Sequence, residues 1–160
     1  MKKNTLLSVL ITSVLGLAFV GVVQAGEKMN GSGHNASQNV STDTKTLPDG
    51  RLMMRIHDAI VIMGNNPGNP FHLSSLDCFS TYIATADGTA GQGAGHCHGL
   101  DPDGDAWWIG FSGDFSGGTW NLITGTGKFD GIAGGGTYQV AAQLEGGRSL
   151  STWKGSWEMK

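Results

Sequence analysis

From Leu47 onward, apolar and polar residues alternate with a period of two in short runs bounded by glycine, proline and asparagine, the pattern of half-buried β-strands. Arg51 to Met63 is the first such run: Leu52, Met54, Ile56, Ile60 and Ile62 share one face, interrupted by Asp58, while Arg51, Met53, Arg55, His57 and Val61 share the other. GNNPGNP, from Gly64 to Pro70, ends it. Near the C-terminus Tyr138, Val140, Ala142, Trp153, Trp157 and Met159 fall on the apolar face of a hairpin, and Thr137, Gln139, Gln143, Thr152, Lys154 and Ser156 on its polar face. No useful length of chain carries the helical period. The expected fold is all-β: one small antiparallel up-and-down β-barrel of about eight strands, spanning residues 47–160.

Turn dipeptides set the strand registers. Asp87-Gly88, taken as a two-residue turn, places Cys78 opposite Cys97 and Tyr82 opposite Gly93. Asp103-Gly104 places Trp108 opposite Gly99, and Gly146-Gly147 places Tyr138 opposite Gly155, Trp157 opposite Gly136 and Glu145 opposite Arg148. Four aromatic rings then each cover a glycine, a device that shields bare backbone in sheets. Direct opposition brings the Cys78 and Cys97 Cα atoms to about 5.5 Å at a hydrogen-bonded site, within disulfide reach; the alternative is a free, reactive or metal-bound thiol pair.

Thr119 to Tyr138 reads as a strand from Trp120 to Ile123, a glycine-rich crossing holding two apolar plugs, Phe129 and Ile132, and a second strand from Thr137. Its G-T-G-K-F-x-G-I-x-G-x-G-x-Y, residues 125–138, resembles the glycine-rich motif of allene oxide cyclase-like and dirigent-like small β-barrels, among them many exported bacterial proteins. The resemblance implies a barrel fold; no catalytic residue of the plant cyclases finds a matching position. A phosphate loop is excluded because Phe129, not Ser or Thr, follows Lys128, and the dinucleotide fingerprint fails because Asp130 stands where its third glycine belongs. No cofactor is expected.

Met1 to Ala25 carries Lys2 and Lys3, an apolar run from Leu6 to Val23 and the small-residue close Val23-Gln24-Ala25, the plan of a secretory signal peptide. An uncleaved membrane anchor is the alternative. Export to the periplasm or exterior follows, with no membrane span in the mature chain. Without Lys2 and Lys3 the chain keeps 8 basic against 13 acidic residues, a net charge of −5, so nucleic acid is not an expected partner. Residues 26–46 are polar, rich in Gly, Ser, Asn and Thr, and are expected to be a disordered linker.

Candidate chemistry is sparse. His96 and His98 point the same way on a strand, about 6.6 Å apart, and suit a metal site if His57, His72 or Asp101 supplies a third ligand; otherwise they are two strand histidines on a polar or lumen face. Asp101-Pro102-Asp103-Gly104-Asp105 lacks the spacing of a calcium loop and reads as a hairpin tip. Asp58 on its apolar face is the candidate catalytic acid or base, unless a bulge turns it to solvent or Arg51 or Arg55 pairs with it. Tyr82, Trp108, Trp120 and Tyr138 are candidate ligand-binding rings or simply core. Three functions fit: a barrel binding a small apolar or cyclic ligand in its lumen or mouth, a cyclase or isomerase of allene oxide cyclase type, and a non-catalytic structural or interaction protein of the envelope. Oligomeric state is not encoded in any of these features.

Overall fold

The computed structural model describes residues 27–160, which form a closed barrel of eight antiparallel strands in sequential order. They are β1 Lys28–Thr46, β2 Leu52–Gly64, β3 Ser75–Ala84, β4 Gly91–Leu100, β5 Ala106–Asp114, β6 Gly117–Gly125, β7 Ala133–Leu144 and β8 Arg148–Glu158. The all-β, up-and-down expectation holds. The expected signal peptide, residues 1–25, lies outside the described residues.

Residues 28–46 correct the expectation of a disordered linker and move the barrel's start from Leu47 to Lys28. They form the 19-residue β1, which pairs with β2 on one side and β8 on the other and closes the barrel. Low hydrophobicity misleads here because this strand's inward positions are glycine and small polar residues rather than aliphatics. Gly31 and Gly33 lie beneath the rings of Trp157 and Trp153: a Cβ at Gly31 would fall 2.4 Å from the Trp157 ring, and one at Gly33 2.7 Å from Trp153 Nε1. The apolar area that orders β1 is therefore supplied by β8.

The hairpin registers follow loop length. The loop between β3 and β4 closes with Thr85 N–H donating to Ala90 C=O, four residues rather than two but centred alike, so Cys78–Cys97 and Tyr82–Gly93 pair as expected. The longer loop changes only the parity of the ladder: the cysteines occupy a non-hydrogen-bonded pair, with Cα atoms 4.0 Å apart rather than about 5.5 Å. Between β4 and β5, Asp101 N–H donates to Asp105 C=O around a three-residue loop with Gly104 at φ +92°. The register slips by one and every side chain changes face. Gly99 therefore faces Trp107, which is buried, and Trp108 lies opposite the exposed His98 on the outer wall.

Two similar offsets alter the last hairpin. Its loop has three residues, pairing Leu144 with Arg148, and a bulge at Ala141 adds a second shift. Tyr138 consequently faces Trp153 rather than Gly155, Trp157 faces Gly134 rather than Gly136, and Glu145 is not paired with Arg148 across the ladder. The two shifts cancel in facing below the bulge, which keeps Tyr138, Val140 and Trp153 inside. Above it the faces exchange, so Gln143 rather than Ala142 lines the interior. Gly155 is covered by Trp120, whose ring would lie 2.4 Å from a Cβ there.

The loops of residues 65–74, 101–105 and 126–132 gather at one end of the barrel and plug it. Phe71 is the hub, with its ring 4.8 Å from Trp107, 5.0 Å from Trp157 and 5.5 Å from Phe129 between centroids. Phe129 is fully buried and Ile132 nearly so, as the two plugs of the glycine-rich crossing. Lys128 clasps this crossing to the β4–β5 loop: its ammonium pairs with the buried Asp101 and with Asp103 at 2.8 Å, and its N–H donates to Asp105 at 3.1 Å. Gly127 (φ +53°) is required there, since a Cβ would collide with the Asp105 carboxylate.

Burial raises the pKa of Asp101, but Lys128 and the N–H groups of Asp105 and Asp103 outweigh it and hold the carboxyl below its usual range. That stabilisation is present above the unfolded value of about 3.9 and is lost as pH falls through the folded one. Leaving the carboxylate unpaired costs about 3–5 kcal/mol in a fully buried setting; the partial exposure of Lys128 (34%) lowers the expectation to about 2 kcal/mol. Lys128→Met is expected to lower the urea midpoint at pH 7, with the gap to the wild type narrowing below about pH 4. Equal stability at pH 7 would contradict the clasp.

Candidate functional site

The end opposite the plug opens into a lumen holding a cavity of about 270 Å³. Strand alternation builds its wall: Ile56, Asp58, Ile60 and Ile62 from β2, Cys78, Ser80 and Tyr82 from β3, Trp107, Ile109 and Phe111 from β5. Asn35 and Ser37 of β1, Gln143 of β7, and Ser149 and Ser151 of β8 make the opposite side polar. Ser37 and Ser149 hydrogen-bond each other at 2.6 Å. The cavity is thus two-faced, aliphatic and aromatic on one side and lined by hydroxyls and amides on the other.

Asp58 lies where the sequence places it, inside. No bulge turns it outward, and the two arginines are engaged elsewhere, Arg51 with Asp49 and Arg55 with Asp43. Asp58 faces Asn39 of β1 and Cys78 of β3 across the ladder, and accepts a 3.0 Å hydrogen bond from Asn39 Nδ2. Burial pushes its pKa up, and the Asn39 amide and nearby His57 offset only part of that shift. At β1 the bulge around Val40 follows Asn39 directly, which aims this amide at the carboxylate.

Tyr82 and Tyr138 both line the lumen, and burial raises both phenols; their mutual interaction raises Tyr138 further and offsets part of the rise at Tyr82, and the aspartate charges add smaller contributions. Trp153 Nε1 and Asn35 Oδ1 are buried atoms of lumen-lining residues with no hydrogen-bond partner among the described residues. Trp120 lines the cavity too, and its Nε1 donates to Thr137 C=O at 3.2 Å. Of the four expected ligand-binding rings, Trp108 alone does not reach the lumen; Trp107 takes its place. The Cys78–Cys97 disulfide is formed and sits in the lumen wall.

His96 and His98 project from the outer wall, exposed. His98 Nε2 lies 3.7 Å from one oxygen of Asp77, and His57 Nε2 3.1 Å from the other, with His57 stacked on Phe79 at 4.4 Å. The two imidazoles therefore engage separate carboxylate oxygens, and among the described residues no three His, Cys, Asp or Glu side chains are arranged to hold a metal ion. His72 stands in the plugged end, and Asp101 is committed to Lys128.

Sequence reasoning missed the polar half of the lumen. Its signal was the alternation of Gly31, Gly33, Asn35, Ser37 and Asn39 with outward residues, which is a strand period written in small residues. It also missed the rim, where Asp114 accepts hydrogen bonds from the N–H and hydroxyl of Ser116 and the N–H of Gly117, which hold its carboxyl below the usual range. Phe115 folds from that tight hairpin onto Tyr82, 5.1 Å between centroids.

No family model and no curated protein matches the sequence. Among solved structures the chain is similar to the pterocarpan synthase dirigent protein GePTS1, at 12% identity and a TM-score of 0.51, over 86% of this chain and 89% of that one. It is also similar to the pterocarpan synthase dirigent protein PsPTS1, at 10% identity and a TM-score of 0.48, over 85% and 97%. The likeness to the first is one of fold, and the barrel is dirigent-like.

Tyr82 and Tyr138 are the only tyrosines in the chain, so tyrosinate absorbance reports the lumen alone. Both folded values being raised, the stability they contribute is intact below the free value of about 10 and lost as pH rises through the folded ones. An ultraviolet titration is expected to show little tyrosinate near pH 10 in the native protein and ordinary ionisation in urea. Native ionisation at the free value would contradict the buried placement.

Proposed function

We propose that this dirigent-like barrel binds a small, largely apolar molecule in its lumen, as an exported protein. The single observation carrying this reading is the cavity itself: about 270 Å³, plugged at one end, reachable from the other, and walled by aliphatic and aromatic side chains with a few convergent polar groups. Such a volume suits one fused-ring or similarly sized ligand. The disulfide fits an oxidising compartment, in keeping with export.

A second reading, an acid–base isomerase or cyclase, is favoured by one specific feature. Asp58 is a carboxyl group in the cavity wall whose pKa is raised by burial, the direction that suits a carboxyl group to exchange a proton with a substrate oxygen or carbon. Asn39 fixes its orientation. That a protein of the same fold is a pterocarpan synthase supports asking the question of this residue. Asp58→Asn, which keeps shape and removes the proton, is expected to abolish turnover of any substrate found.

Calorimetry with neutral 2-methylnaphthalene tests the binding reading. Saturable one-to-one binding is expected, and Ile109→Trp, which fills the lumen at a stability cost of about 1–3 kcal/mol, is expected to weaken it at least tenfold. Absence of binding to the wild type, or an unchanged affinity in folded Ile109→Trp, would overturn it.

A further inference from the structure

The lumen contains carboxylates and no side chain of opposite charge. Asp58 stands in the wall and Asp114 at the rim, while no lysine, arginine or histidine is among the residues that line the cavity. Charges drawn out of water are ordinarily paired, because a lone one costs more free energy than its hydrogen bonds return, and Asp58 is half-buried. Asn39 gives Asp58 one neutral hydrogen bond at Oδ1, and no described side chain donates to Oδ2. A site of this kind lacks its counter-charge until a ligand brings it.

The walls around Asp58 suit such a ligand. Phe111 and Tyr138 meet edge to face at 6.2 Å, and Tyr82 and Phe115 meet at 5.1 Å, two ring pairs between Asp58 and the mouth. Aromatic faces attract cations, most strongly where water is excluded. Asp114, held ionised by Ser116 and Gly117, puts a negative charge at the entrance and favours entry of cations over anions.

We infer that the lumen selects an organic cation, an ammonium carried on an apolar ring system, with Asp58 as its counter-ion and the Phe111, Tyr138, Tyr82 and Phe115 rings as its cage. This rests on the lumen being a ligand site and adds the charge of what fills it. Carboxylate ligands are excluded by the same two aspartates.

Three probes of one shape separate the claims: 2-naphthylmethylammonium, 2-methylnaphthalene and 2-naphthoate, titrated into the full-length protein at pH 7 by calorimetry. The ammonium is expected to bind at least tenfold tighter than the neutral probe and the carboxylate to bind least. Asp58→Asn is expected to bring the ammonium-to-neutral ratio close to one. The titratable groups facing Asp58 are Tyr82 and Tyr138, with His57 on its own strand and Asp114 at the rim. The tyrosines stay protonated below neutrality, so in the wild type the ammonium preference should decline as the pH is lowered from 7 and Asp58, whose pKa is raised by burial, takes up a proton. That wild-type series decides the matter if Asp58→Asn does not fold. Equal affinity for ammonium and neutral probes, or a preference that does not fall as the pH is lowered, would overturn the cation site while leaving the lumen reading intact; no binding by any of the three would overturn both.

Discussion

The closure of the barrel depends on indole rings packed against bare backbone. Trp153 over Gly33 and Trp157 over Gly31 join β8 to β1, the seam where a row of eight strands becomes a closed cylinder. A side chain at either glycine would push the ring away and hold the strands apart. β1 contributes almost no aliphatic area of its own, so its order comes from two ladders of backbone hydrogen bonds and from the rings its neighbour lays across it. The same contact recurs at Tyr82 over Gly93, Trp107 over Gly99 and Trp120 over Gly155.

That constraint also creates the site. A strand whose inward positions are Gly, Asn and Ser leaves space beside it, while its neighbour β2 presents Ile and β5, across the lumen, presents Ile, Phe and Trp. Rings concentrated towards the plugged end fill it, and the far end stays open. The cavity is the volume left between a thin polar wall and a thick apolar one, and Asp58 sits at the boundary of the two, opposite Asn39 on one side and Cys78 on the other. Its raised pKa follows from this placement, since the thick wall removes water and the thin one returns a single amide.

Much of the fold was legible because strand alternation and turn residues are local. The barrel class, the inward face of β2 with Asp58 on it, the disulfide and the Phe129 and Ile132 plugs all follow from the sequence. Register was less secure, since Gly104 and Gly147 fit two-residue and three-residue loops equally well, and the choice decides whether Trp107 or Trp108 enters the lumen. The bulge at Ala141 had no local mark at all. β1 was misread because hydrophobicity was asked to announce a strand whose apolar cover comes from more than a hundred residues away in sequence, and with β1 went Asn35 and Ser37 of the cavity's polar side.

Hydrogen exchange at the β1 amides tests the central claim most directly, that residues 28–38 are a sealed wall of the lumen and not a tether. Amides of Gly31 to Ser37 that take part in the two ladders are expected to exchange as slowly as those of β2 and to open only with the whole barrel. Exchange of that segment at the rate of an unstructured peptide, with β2 to β7 still protected, would contradict it.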